Sequence, residues 1–268
     1  MNEQAISGSE SKHKQKENHT RDLGGYFNCA KFNQESMTKF YSEQNIQSHM
    51  KSHDAKFVKK YSQSMTLGYC VLTLSICGNL NVGTIMRTAQ LLGADTCIVF
   101  GKRKFDERSA VGATKYMDVK RVFGLMNGQL IDSESDKVSY NERIIDPMVF
   151  HDYLVQNNLV PVFLEQTSDA IYDNDVNWKK MEQILYRSGI QTKKFCFVFG
   201  NEGDGIAKDV LNQGLQIEGS FVIAIRQLGV LASFNVSASA AIILSKYRDY
   251  KVKQVVDRYD LATKLIRF

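Results

Sequence analysis

The sequence has few cysteines, and none of them is paired. Its 5 cysteines are scattered, with no C-x-x-C pair, and none of the 5 histidines joins a cysteine pair at metal-ligand spacing. A disulfide framework and a metal site are therefore not expected. Cys70, Cys97 and Cys196 lie in apolar, strand-like runs, which predicts reduced cysteines in the core. This usage indicates a reducing compartment.

Long apolar runs are also absent. No segment approaches the length that crosses a bilayer, and residues 1–25 lack the apolar stretch of a signal peptide. We therefore expect a soluble, cytoplasmic protein with no membrane partner, the nucleus and organelles being left open. The hydrophobic fraction of 43% is enough for a real core, and the net charge of +5 permits a nucleic-acid partner without requiring one.

Composition divides the chain into four regions. Residues 1–30 are polar and charged, which predicts a disordered tail. Residues 31–65 combine spaced aromatics with many lysines, which fits an N-terminal extension with one or two short helices, or a basic arm. The folded domain is predicted at residues 66–250, and residues 251–268 form a basic helical tail.

Strand and helix patterns alternate within the predicted domain. This order predicts an α/β fold with a mostly parallel sheet and helices on both faces. Strands are predicted at residues 67–74, 96–100, 119–122, 159–165, 194–199 and 221–225. Helices are predicted at residues 80–92, 109–117, 148–157, 178–186, 207–213 and 236–247, with an insertion loop at 124–145.

The stretch from residue 225 to residue 244 joins a strand to a helix rich in Ala and Ser. Ser233 and Asn235 come just before the helix, where such side chains cap unpaired backbone amides. For these two residues alone, a well-capped strand-to-helix corner is a sufficient interpretation.

A second loop, residues 75–94, places Asn81 and Arg87 on either side of a helix start, with Gly83 leaving the backbone open. A guanidinium suits the binding of phosphate. Alternatively, Asn81 caps the helix and Arg87 belongs to a solvated face.

The third loop, residues 197–206, is a buried strand followed by an acidic turn with Glu202, Gly203 and Gly205. In a parallel sheet, loops at the carboxyl ends of strands form the ligand crevice. The turn has neither the Gly-Lys-Ser/Thr of a phosphate loop nor the spacing of a dinucleotide fold, and an ordinary strand-to-helix turn also fits it.

Together the three loops resemble the signature motifs of the SPOUT superfamily, specifically the TrmH/SpoU family of RNA ribose 2′-O-methyltransferases. The motifs occur in the family's order: Asn-x5-Arg at the helix entry, then G-x-E-x-x-G, then S-x-N-V-S. The resemblance covers residues 66–248.

The resemblance implies a C-terminal trefoil knot, S-adenosylmethionine as cofactor and a homodimer. By motif position it assigns cofactor binding to Gly200, Asn201, Ile225, Leu231 and Phe234. It assigns catalysis to Asn81, Arg87, Glu202, Ser233 and Asn235, with Arg87 acting at the ribose 2′-hydroxyl. Since arginine stays protonated, stabilising the adjacent phosphate and the developing alkoxide suits Arg87 better than acting as a base.

The sequence departs from the family pattern after the strand that ends at Ile225. The family usually continues Ile-Pro-Met, whereas Arg226 and Gln227 follow here, and Phe234 replaces the commoner Leu. Arg226 and Gln227 either alter the cofactor fit or add an RNA contact.

Basic residues are the candidates for RNA binding, namely Lys102, Arg103, Lys104 and Arg108, together with residues 51–60 and the C-terminal tail. The Glu165-Gln166-Thr167 strand end resembles the eukaryotic-type tRNA guanosine branch, which favours tRNA over rRNA. The alternatives are an rRNA enzyme, a base methyltransferase of the same superfamily and a non-catalytic RNA-binding scaffold.

Overall fold

The computed structural model describes residues 46–76, 78–101, 105–122, 125–126, 129–130, 145–187 and 189–259. These residues belong to one compact unit, Tyr41–Phe268. The predicted tail at residues 1–30, the basic residues Lys102, Arg103 and Lys104, and most of the predicted insertion lie outside the described residues.

Six α-helices occur among the described residues: α1 (Ala55–Ser64), α2 (Asn79–Leu91), α3 (Pro147–Gln156), α4 (Trp178–Met181), α5 (Lys208–Gly214) and α6 (Val236–Tyr259). Short 3-10 helices lie at Ser48–Met50, Glu107–Ala110, Ala113–Lys115 and Glu182–Leu185. None of the helices in this part of the chain combines the length and apolar character that a bilayer crossing requires.

Seven parallel strands form the main sheet. They are β1 (Cys70–Leu74), β2 (Thr96–Phe100), β3 (Asp118–Val122), β6 (Leu159–Leu164), β7 (Ile171–Tyr172), β10 (Lys194–Phe199) and β11 (Phe221–Ala224). Two small antiparallel hairpins pair β4 (Leu125–Met126) with β5 (Gln129–Leu130), and β8 (Tyr186–Arg187) with β9 (Ile190–Gln191). The order across the main sheet is β3-β2-β1-β10-β6-β11-β7. Because all these strands run in the same direction, their carboxyl ends meet at one edge of the sheet.

Both faces of the sheet are covered by helices, as predicted. One buried cluster joins Val71 and Phe197 to apolar residues of α2 and α6, including Met86 and Tyr247. The opposite cluster joins the sheet to Phe150 of α3 and to α5. The central strands are buried on both sides, which explains their continuous apolar sequences. Cys70, Cys97 and Cys196 are buried free thiols, as predicted.

Several predicted boundaries were wrong, and each has a local cause. The helix predicted at 109–117 is two separate 3-10 turns, because Val111 and Gly112 adopt left-handed backbone conformations with φ of 49° and 86°. The helix predicted at 178–186 is α-helical only to Met181 and then becomes a 3-10 turn. The last helix does not end at 247, since no Gly or Pro interrupts it before Tyr259. The predicted insertion includes the hairpin of β4 and β5.

Candidate active site

A cavity of about 340 Å³ lies at the carboxyl edge of the sheet. Its walls come from the ends of β6, β10 and β11 and from the start of α6. Seven of the predicted site residues line it, namely Gly200, Asn201, Glu202, Ile225, Ser233, Phe234 and Asn235. Leu231, predicted beside the cofactor, is not part of the lining and is 80% exposed.

The turn after β10 is shaped by Asn201. Its backbone exchanges two hydrogen bonds with Gly205: the Asn201 amide donates over 2.9 Å and the Gly205 amide over 3.1 Å. The Asn201 side chain accepts from the Gly203 amide at 2.8 Å and donates to the Ser75 carbonyl at 2.8 Å. Asn201 therefore fixes the turn and joins it to the end of β1, independently of any contact between Asn201 and a ligand.

Glycine is required at the base of this turn. A Cβ on Gly200 would lie 2.6 Å from the Gly205 carbonyl carbon, which is closer than real Cβ atoms approach backbone. The two glycines thus bring two backbone segments into contact at the wall of the cavity.

Glu165, at the end of β6, supports the same turn from the other side. One carboxylate oxygen accepts from the Ile206 amide at 2.8 Å, and the other accepts from the Gln166 amide at 2.9 Å. Glu165 also lines the cavity. We did not predict this role from the sequence, although a carboxylate directly after a buried parallel strand is a signal for the crevice edge.

The three signature loops meet at Asn81, which contacts both other loops. Glu202 Oε1 accepts from the Asn81 side-chain amide at 2.6 Å and from the Gly78 backbone amide at 2.9 Å. The Asn81 side-chain oxygen in turn accepts from Asn235 Nδ2 at 3.2 Å. Side chains separated by more than 100 positions in the chain thus form one hydrogen-bonded chain at the cavity.

This geometry shows which of the two asparagines caps a helix. Asn81 does not cap α2: the N-cap is Gly78, and Asn81 lies inside the helix. Asn235 does cap α6, since its Oδ1 accepts from the Ser237 amide at 2.9 Å. The amide nitrogen of the same side chain donates to Asn81, so Asn235 both caps α6 and joins the hydrogen-bonded group at the cavity. The catalytic role of Asn235 stays a prediction. Ser233 is exposed at the cavity rim.

Arg87 lies apart from this group. It is exposed on α2, six residues after Asn81, and is not part of the cavity lining. At about 100° of rotation per residue, the helix directs Arg87 away from the side that bears Asn81. Its catalytic role stays a prediction.

Arg108 is paired with a carboxylate. Its guanidinium binds Asp106 with nitrogen–oxygen distances of 2.6 and 2.9 Å. The side-chain hydrogen bonds from Arg108 lower the pKa of Asp106 to about 2. The Asp106 carboxylate offsets the positive charge of Arg108 at neutral pH. Lysines 56, 59 and 60 of α1, by contrast, are exposed. The described residues hold no group of three or more His, Cys, Asp or Glu side chains that could bind a metal ion.

The chain is similar in fold to solved RNA-modifying enzymes. A TrmH/SpoU tRNA modifying enzyme from A. aeolicus aligns with 75% of this chain and 83% of its own, at 17% identity and a TM-score of 0.52. The SpoU methyltransferase AviRb from Streptomyces viridochromogenes, solved with AdoMet, aligns with 70% of this chain and 59% of its own, at 18% identity and a TM-score of 0.47. An AdoMet-bound rRNA methyltransferase from Sinorhizobium meliloti aligns with 70% and 60% of the two chains, at 17% identity and a TM-score of 0.47. The last two alignments span less than two thirds of those proteins.

None of the curated protein sequences compared with this chain matches it significantly. Residues 143–245 match the model of the SpoU rRNA Methylase family. The matched segment contains the glycine turn and the cap of α6, while Asn81 and Arg87 precede it. Over this segment the chain is therefore similar to the SpoU rRNA Methylase family, and its parallel α/β fold is similar to that of the A. aeolicus TrmH/SpoU enzyme.

Proposed function

We propose that the protein is an S-adenosylmethionine-dependent RNA methyltransferase that modifies a ribose 2′-hydroxyl, with a guanosine of tRNA as its target. The observation that carries the proposal is the hydrogen-bonded chain Asn235–Asn81–Glu202 beside the cavity. It joins the three loops whose sequences resemble those of ribose methyltransferases, and it places their polar groups beside a ligand-sized space.

The cavity suits the proposed cofactor. Its volume of about 340 Å³ lies within the range of small-molecule sites. Ile225 and Phe234 supply apolar surface for a flat ring system, and the glycines of the turn allow a ligand to approach the main chain closely. When bound, S-adenosylmethionine would supply an electrophilic methyl group.

The protein's own residues would orient the acceptor hydroxyl. This oxygen must lose its proton as it takes up the methyl group, so negative charge develops on it. Arg87, which lies outside the lining of this cavity, is the permanent cation that we propose to stabilise that charge and the neighbouring phosphate. Glu202 fixes the Asn81 amide, and the Asn81 oxygen holds Asn235, so the polar groups are preorganised before RNA binds.

Exposed lysines on α1 support an RNA substrate. Lys56, Lys59 and Lys60 face solvent, while Val58 is buried and fixes the helix on the body. Gln90 of α2 donates to Ser62 of α1 at 3.1 Å, which attaches this basic helix to the helix that carries Arg87. Such lysines would bind phosphates without reading sequence. The basic residues 102–104 and Arg108 are proposed as further contacts.

A homodimer is also proposed. Large aliphatic side chains are strongly exposed on α2 and on the loop before α6, including Leu80 (60%), Leu91 (66%) and Leu228 (96%). A second copy of the chain is the cover that we propose for these side chains. The C-terminal trefoil knot remains a prediction from the resemblance.

Radiolabel transfer tests the activity. Purified protein is incubated with methyl-labelled S-adenosylmethionine and separate tRNA and rRNA fractions, beside Arg87→Ala and the matched control Arg187→Ala. Arg187 is an exposed arginine of β8. We expect label in tRNA, on a dinucleotide that resists alkaline cleavage, with wild-type and Arg187→Ala protein only.

Other outcomes identify the alternatives. Label confined to rRNA would replace the tRNA assignment. Label released on an alkali-sensitive nucleotide would indicate base methylation. Absence of both label and cofactor binding would contradict the enzyme proposal and favour an RNA-binding scaffold.

A further inference from the structure

Arg226 follows Ile225, the last buried residue of the segment that begins with β11 and forms one wall of the cavity. Ile225 before it and Gln227 after it both line the cavity. Arg226 is not part of the lining, and its side chain contacts Tyr172 and Asp175 at the end of β7 instead. These contacts therefore support the wall from outside the cavity.

Arg226 is held by three residues at the end of β7, namely Tyr172, Asp173 and Asp175. The Arg226 amide donates to Asp173 Oδ1 at 3.1 Å. The guanidinium carbon lies 4.1 Å from the centroid of the Tyr172 ring, and a guanidinium nitrogen lies 3.4 Å from Asp175 Oδ2. A guanidinium stacked on an aromatic ring and paired with a carboxylate uses both its flat face and its charge.

These contacts continue a very short strand pairing. Strand β7 pairs with β11 only at Ile171↔Ile223 and Tyr172↔Ala224. Beyond that point the Asp173 amide donates to the Ala224 carbonyl at 2.9 Å, and the Asp173 side chain takes the Arg226 amide. Asp173 is 8% exposed and also binds Lys246 of α6. The attachment point behind the wall is thus itself anchored to a long helix.

Gln227 fixes the next part of the segment. In the amide orientation that satisfies its neighbours, its nitrogen lies 3.2 Å from the Ala232 carbonyl oxygen and its oxygen 3.0 Å from Gln166 Nε2. The side chain thereby closes the loop that precedes Ser233 and joins it to the end of β6. Arg226 thus joins this segment to the end of β7, and Gln227 joins it to the end of β6.

We propose that Arg226 is a positioning residue of the cofactor cavity: held by Tyr172 and Asp175, it fixes the wall formed by Ile225 and Gln227 and does not contact RNA. The inference rests on the proposed function, since it assigns the cavity to S-adenosylmethionine. It also chooses between the two interpretations that the sequence left open for Arg226 and Gln227.

Binding of S-adenosylhomocysteine, the demethylated form of the cofactor, gives a readout that needs no turnover. Its Kd is measured by calorimetry for wild type, Arg226→Ala, Arg226→Lys and the control Arg187→Ala, with Tm and tRNA affinity measured on the same samples. We expect Arg226→Ala to weaken binding about tenfold, Arg226→Lys to weaken it less, and Arg187→Ala to leave it unchanged. Because the Arg226 side chain is 52% exposed, Tm should stay close to that of wild type.

Two further readouts separate positioning from a general loss of structure. Hydrogen exchange at residues 225–232 should be faster in Arg226→Ala while the α3 peptides remain unchanged. In a double-mutant cycle, Asp175→Asn should add little to the effect of Arg226→Ala, because both substitutions break the same contact.

The possible failures are distinguishable. If wild type does not bind S-adenosylhomocysteine, the proposed function fails and this inference fails with it. If wild type binds and Arg226→Ala binds equally well, only this inference fails. Weaker tRNA binding with an unchanged Kd for S-adenosylhomocysteine would also overturn it and make Arg226 an RNA contact.

Discussion

At the residue scale, substitution of Asn81 removes two contacts of the site, because its side-chain nitrogen and oxygen are both hydrogen-bonded. Asn81→Ala would leave Glu202 without its closest side-chain donor and Asn235 without its acceptor. We expect methyl transfer to fall at least about tenfold, the cost of roughly one hydrogen bond to a charged group. Asn212→Ala, on the exposed side of α5, is the matched control for the initial-rate assay. Equal rates for Asn81→Ala and wild type would remove this group from the catalytic site.

Two glycines with positive φ allow a test of the close contact between Gly205 and Glu165 at the turn. Gly189 and Gly205 have φ of +79° and +66°, but an added Cβ meets nothing within 4 Å at Gly189 and lies 2.3 Å from Glu165 Oε2 at Gly205. Gly189→Ala should therefore cost only the left-handed strain, about 1 kcal/mol. Gly205→Ala should cost clearly more, about 2–3 kcal/mol, because Glu165 must release the Ile206 amide. Urea unfolding of both variants measures the difference, and equal losses would show that Glu165 moves aside freely.

At the scale of the element, α6 is attached to the body by a carboxylate in the core. Glu182, 7% exposed, accepts from Tyr247 at 2.5 Å, Tyr250 at 2.9 Å and Lys251 at 2.9 Å. Glu182→Gln would leave the largely buried Lys251 ammonium without its counter-charge, and we expect a loss of about 3 kcal/mol in the free energy of unfolding. Glu218→Gln, which alters a carboxylate 78% exposed, should change it by less than about 0.5 kcal/mol. Similar losses in both would contradict the anchoring role of Glu182.

The second attachment of α6, through Asp173 and Lys246, should respond to pH. Burial raises the pKa of Asp173, but the hydrogen bonds from Lys246 and from the Arg226 amide together lower it by more. The pKa of Asp173 in the folded protein therefore lies below the ordinary value. Stability from a lowered aspartate pKa is fully present above the unfolded value of about 4 and is lost as pH falls through the folded value. Asp173→Asn should thus cost about 2 kcal/mol at pH 7 and progressively less below about pH 4. Urea unfolding across this range measures the gap, and a gap that stays constant with pH would contradict the ion pair.

The elements also show how far sequence reasoning reaches. The five buried strands β1, β2, β6, β10 and β11 follow from apolar runs, and helices α2, α3, α5 and α6 follow from their periodicity. The break at Val111 was not predictable, because no local pattern signals a β-branched residue in a left-handed conformation. In the site, Glu202 and Asn235 were predicted from motif order. The supports at Glu165 and Asp173 depend on neighbours 41 and 53 positions away, which no local pattern encodes.

At the scale of the whole molecule, the exposed aliphatic side chains predict self-association. Light scattering after size exclusion should give twice the chain mass of 30.4 kDa. Leu91→Asp and the control Gln63→Asp, both on exposed helix positions, test whether α2 takes part. A monomer mass for wild type at micromolar concentration would contradict the dimer, and a dimer unaffected by Leu91→Asp would exclude this face of α2.

The strand order has a consequence for how the molecule is made. β1 pairs on one side with β2, which follows it closely, but on the other side with β10, which lies more than 100 residues later. During synthesis the apolar edge of β1 therefore emerges from the ribosome long before its second neighbour exists. Closure at such sequence separation is slow, and an open strand edge promotes aggregation. The yield of native protein should thus depend on how well chaperones shield β1 until residue 199 has been translated.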